Sequence, residues 1–125
     1  MSIKGSSYAH FRRALAAGHL HLVRQAAAEL PRVPLEDALG VVMLIARREP
    51  ERLERAAVRW LARLALERPQ VSAWDLRWGL LAFEALPRDP EGARDALAEL
   101  CDRHGLPGAA GGLRGDGGGW DTQKR

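Results

Sequence analysis

Ala38-Leu39-Gly40-Val41-Val42-Met43-Leu44-Ile45-Ala46 runs for nine residues without a charged or hydrogen-bonding side chain. A helix drawn through it has no polar face, and a helix that is apolar all round lies either at the centre of a core or inside a membrane. Crossing a bilayer takes ~20 apolar residues. The run is too short for that, so it predicts the buried middle of a small all-α protein, wrapped by amphipathic helices on either side. The carboxylates Glu36 and Asp37 belong to its first turn, where the helix dipole favours negative charge. The helix stops near Arg48.

Upstream, Ser7 is a candidate N-cap for a helix over 8–17 with Tyr8, Phe11 and Leu15 on one side. Gly18 ends that helix, since glycine takes the left-handed conformation without a Cβ clash. A second helix over 19–30 buries Leu20, Val23, Ala27 and Leu30, and Pro31 and Pro34 separate it from the central one. Downstream, Pro50 opens a fourth helix whose apolar face is Leu53, Ala57, Trp60, Leu61 and Leu64, and Pro69 stops it. Ser72 and Asp75 have the spacing of a capping box, with Asp in place of Glu or Gln, and start a fifth helix that runs to Leu86. Asp89-Pro90 starts a sixth, with Ala93, Leu97, Leu100 and Cys101 as its stripe, and Gly105 closes it.

The resulting expectation is a compact bundle of about six helices arranged as three hairpins over 7–104, preceded by a flexible N-terminus over 1–6. Glycine occupies eight of the fifteen positions from 105 to 119, which predicts a disordered tail over 105–125 whose removal leaves stability unchanged. Trp120 stands in that tail as a candidate tethered anchor for a partner. The linkers Leu30-Pro31-Arg32-Val33-Pro34 and Leu86-Pro87-Arg88-Asp89-Pro90 echo each other, a similarity that shared turn chemistry explains without duplication.

Ala16-Ala17-Gly18-His19-Leu20-His21-Leu22-Val23 resembles the helix, Gly-His turn and second helix at the centre of an ankyrin repeat. The likeness spans eight residues, no 33-residue period follows it, and it implies a tight helical hairpin. The chain as a whole is similar to short Ala/Arg-rich helical proteins of bacteria with no assigned function.

With 125 residues and one cysteine, the chain is one domain with no intrachain disulfide. Its N-terminus lacks the uninterrupted apolar segment of a secretory signal, so a cytoplasmic location is expected and no membrane association. The net charge is +3, and the basic residues are 17 Arg beside 2 Lys. The whole excess sits between Arg47 and Arg68, where there are seven Arg and four Glu. Arg48, Arg52, Arg55, Arg59 and Arg63 share one stripe of the fourth helix, a row that can follow the phosphates of a nucleic acid; the competing reading is a solvated face.

Other chemistry finds little support. His19 and His21 point apart in a helix, and no further ligands stand at metal-site spacing beside them or beside His10 and His104. Cys101 lies on the apolar stripe of its helix, as a small core residue does. The chain has no Gly-x-Ser-x-Gly, phosphate loop or His-Glu-x-x-His, so no catalytic residue, metal or cofactor is assigned. The fifth helix is more informative. Trp74, Trp78, Leu81 and Ala85 form one face, Leu76, Leu80 and Phe83 another, and two apolar faces need two partners. The central and sixth helices can supply both, with Trp74 partly exposed and Trp78 mostly buried, or the tryptophan face can meet another protein or a second copy of the chain. Tryptophan is enriched where interfaces concentrate their binding energy, which favours a protein interaction module.

Overall fold

The apolar run occupies the third of seven α-helices formed by the residues described in this computed structural model, 3–115, with side chains from Ser6 onward. The helices are α1 (Ile3–Ala17), α2 (Leu20–Ala28), α3 (Leu35–Arg48), α4 (Leu53–Glu67), α5 (Ala73–Ala85), α6 (Pro90–Arg103) and α7 (Pro107–Arg114). A single 3-10 turn, Pro50–Arg52, leads into α4. Among the described residues there is no strand, and no helix is long and apolar enough to cross a membrane.

None of the nine residues of the apolar run is exposed. Four helices, α1, α2, α4 and α7, pack against α3 and cover it from different sides, as a helix without a polar face requires. Each helix also packs on the next one along the chain, so the contacts run on from α2 to α3 and from α4 to α5 as well as inside the expected hairpins. Proline and glycine set the stops. Gly18 and Gly105 have φ of 76° and 74°, in the left-handed region that ends α1 and α6. At the start of α6, the Asp89 side chain accepts a hydrogen bond from the Gly92 amide at 3.0 Å. Trp60 joins three helices: its indole N–H donates to the Leu35 carbonyl at 3.0 Å, and its ring meets Phe83 of α5 edge-on with centroids 6.3 Å apart.

Three expectations are corrected. The disordered tail over 105–125 is not what the described part of it forms: Pro107–Arg114 is α7, and Leu106, Ala109, Ala110 and Leu113 are buried against α3 and α6. Residues 116–125, with Trp120, lie outside the described residues. The flexible N-terminus over 1–6 is helical from Ile3, which places Ser7 inside α1 rather than at its cap. Finally, α5 packs between α4 and α6, and its backbone does not come close to that of α3. Gly79 permits this close approach, since a Cβ there would lie 2.8 Å from a Leu61 methyl and 3.1 Å from a Leu100 methyl.

Candidate functional site

The outer face of α5 departs most from ordinary burial. Trp74, Trp78 and Leu81 are 73%, 49% and 61% exposed, while the opposite side of the same helix buries Asp75, Gly79, Ala82 and Phe83. The three exposed residues fall at i, i+4 and i+7, which puts them on one side of the helix. Trp78 is not mostly buried as its position suggested. Its ring leans along α6, where its indole N–H donates to the Ala96 carbonyl at 3.3 Å, and half of the residue stays in solvent. The Arg77 guanidinium sits 5.3 Å from the Trp74 ring centroid, within cation–π range.

The base of that face is held firmly. Ser72 closes the capping box: its hydroxyl accepts from the Asp75 amide at 3.1 Å, and the Asp75 carboxylate accepts from the Ser72 amide at 3.0 Å. The same carboxylate lies 3.0 Å from His104 Nε2 and 3.1 Å from the Arg103 guanidinium, tying the start of α5 to the end of α6. The hydrogen bond from the Ser72 backbone, helped by His104, the Ser72 side chain and the charge of Arg103, holds the Asp75 carboxyl below the usual carboxylate range against the opposing effect of burial.

His104 and Asp75 have the spacing of a base and its orienting carboxylate, but among the described residues no activated nucleophile stands with them. Cys101 is buried, and burial pushes its thiol up to about 12. His10, His19 and His21 are exposed, and no group of three or more metal-ligating side chains gathers among the described residues.

The five arginines of the proposed stripe are split by the fold. Arg48 lies in the last turn of α3 and Arg52 in the 3-10 turn, so only Arg55, Arg59 and Arg63 are on α4. Arg52 approaches Glu49 at 3.5 Å, a carboxylate that Arg24 already holds through two hydrogen bonds of 2.9 and 3.1 Å. Arg24 foremost keeps the Glu49 carboxyl below its ordinary value. Arg63 donates to Glu67 and to the Val33 carbonyl, and Arg32 reaches the same Glu67. Arg48, Arg55 and Arg59 are exposed and form no ion pair among the described residues.

Beside Arg59 the surface opens into a cleft of about 290 Å³ between α2, α3 and α4. Its floor is apolar, with Val23, Val41, Val42, Ala56 and Trp60, and Arg24, Arg59 and Arg63 lie around it. Sequence reading missed this feature because its apolar residues have the spacing of ordinary core positions.

No protein-family model, curated protein or solved structure matches the chain.

Proposed function

We propose that the protein is an interaction module that docks a partner protein, or a second copy of itself, on the outer face of α5. The observation that carries this reading is the exposure of Trp74, Trp78 and Leu81 on one side of one helix. A lone exposed apolar residue such as Leu66 is ordinary, but two tryptophans and a leucine in line form a continuous patch of the kind that marks interaction sites. Tryptophan also concentrates binding energy in the centre of interfaces. The surface is preorganised as well: the Trp78 indole is tethered to α6, Arg77 lies over Trp74, and the helix beneath them is pinned by Ser72, Asp75 and His104. Less ordering entropy is then lost on docking.

The nucleic-acid reading of the arginine row has weaker support, because Arg52 and Arg63 already have carboxylate partners and Glu51 and Glu54 lie among the rest. The test compares the intact chain with a Trp74→Ala/Leu81→Ala variant whose melting temperature matches it. Sedimentation at rising concentration reads self-association, and affinity capture from cells of the source organism reads a heterologous partner. The expected result is an assembly present for the intact chain and lost in the variant. A strictly monomeric chain whose captured proteins are the same with and without the patch would overturn the reading.

A further inference from the structure

The cleft between α2, α3 and α4 lies apart from the α5 face and has a chemistry of its own. Half-buried Ala27, Val33, Ala38, Val41 and Ala56 line a concavity of about 290 Å³ here, with the buried side chains of Val23, Val42 and Trp60 behind them. Ala38 and Ala56 contribute to it by being small, since longer side chains at either position would fill the space. The volume lies near the lower end of the ~300–1,000 Å³ found for small-molecule sites, enough for one short apolar chain and too little for a two-chain lipid.

The rim supplies charge of a single sign. Of its three arginines, Arg24 is engaged by Glu49 and Arg63 by Glu67 and the Val33 carbonyl, which leaves Arg59 as the guanidinium with no carboxylate beside it among the described residues. Arg59 also borders the neighbouring concavity, where Arg52 and Arg55 lie beside Glu51 and Glu54. No carboxylate lines the cleft itself. A ligand that matches both parts has an apolar body for the floor and one anionic head for Arg59, and a carboxylate suits the paired donors of a guanidinium.

We propose that this cleft binds a small amphiphilic carboxylate, its short aliphatic or aromatic body between α3 and α4 and its carboxylate on Arg59. The head stays at the solvent edge, where it keeps part of its hydration, and the tail covers the half-buried Val33, Ala38, Val41 and Ala56. Affinity therefore depends on both parts and falls with added salt only through the head.

The test uses octanoate, 1-octanol and acetate as probes on the full chain, followed by amide and indole shifts in two-dimensional nitrogen–proton spectra. Octanoate should shift Val41, Ala56, Arg59 and the Trp60 indole in a saturable manner, with 1-octanol binding more weakly and acetate leaving these signals unmoved. Arg59→Gln replaces an exposed side chain, so the fold should persist, and it should weaken octanoate about tenfold or more through loss of charge-assisted hydrogen bonds. Ala56→Leu should abolish binding by filling the floor, and Trp74→Ala should change nothing. Equal responses to octanoate and acetate would reduce the site to a surface anion contact and overturn the proposal. So would undiminished binding by the Arg59→Gln variant, or shifts centred on Trp74 and Leu81.

Discussion

The Glu36 carboxylate, in the first turn of α3, accepts hydrogen bonds from the Gly108 amide at 2.7 Å and the Ala109 amide at 3.2 Å, and so caps a helix 72 residues further along the chain. Free amides at a helix start need acceptors and favour negative charge, and α7 has no capping side chain of its own. At the other end of α7, Arg94 donates to the Gly112 and Leu113 carbonyls at 3.2 and 2.9 Å. A glycine-rich helix is thus held from both ends by its neighbours.

Leu113→Ala should therefore destabilise the protein by ~2–5 kcal/mol, as for a buried leucine, and Glu36→Ala should cost ~0.5–2 kcal/mol as the loss of a cap. Chemical denaturation of the two variants measures both. A disordered segment would leave both values near zero.

That result would also show where sequence reading stopped. Leu106, Ala109, Ala110 and Leu113 do fall at i, i+3, i+4 and i+7, but two of the four are alanines and four glycines surround them, so local preference opposes the helix. Its stability comes from Glu36, Arg94 and the surfaces of α3 and α6, none of them nearby in the chain. The other helices were legible because Gly18, Pro50, Pro69, Ser72, Asp89 and Gly105 mark their ends with local chemistry. The apolar face of the fourth helix, Leu53, Ala57, Trp60, Leu61 and Leu64, is buried as its spacing indicated. On α5 the two expected apolar faces do not match the packing: the buried side is Asp75, Gly79, Ala82 and Phe83, so of those faces only Phe83 is fully buried, Leu76 and Leu80 are half-buried, and Trp74, Trp78 and Leu81 are exposed.

Leu44, at the middle of the central run, is 3% exposed. Leu44→Ala should cost ~2–5 kcal/mol through lost transfer energy and the cavity left behind. Equilibrium unfolding in urea reads the difference; a loss under about 1 kcal/mol would mean that α3 is not the stability centre.

Asp75 links stability to pH. Its carboxyl is held below the ordinary range in the folded chain, so the unfolded chain binds the proton more readily. The stabilisation it contributes is complete above the unfolded value of about 3.9 and is lost as pH falls through the lower folded value. Asp75→Asn should consequently melt below the unmutated chain at pH 7, and the gap should narrow as pH is lowered past about 4. A gap independent of pH would assign the effect to packing instead.

The α5 face allows a separation of stability from association. Trp74→Ala should leave the melting temperature almost unchanged, because the side chain lies largely in water. Trp78→Ala should cost less than the ~3–5 kcal/mol of a fully buried aromatic, since half of that residue is exposed and its main tie is one hydrogen bond to Ala96. Partner binding should fall in both variants, by ~2 kcal/mol or more for an anchoring tryptophan. Melts and binding isotherms of the same samples make the comparison.

The most direct measurement is photo-crosslinking in the source cells, with a crosslinking amino acid placed at Trp74, at Leu81, or at Ala62, an exposed control position on α4. An interface on α5 predicts one discrete adduct from positions 74 and 81, absent from position 62 and lost when Trp78→Ala is added. Adducts of equal yield from all three positions, or none from 74 and 81, would contradict it.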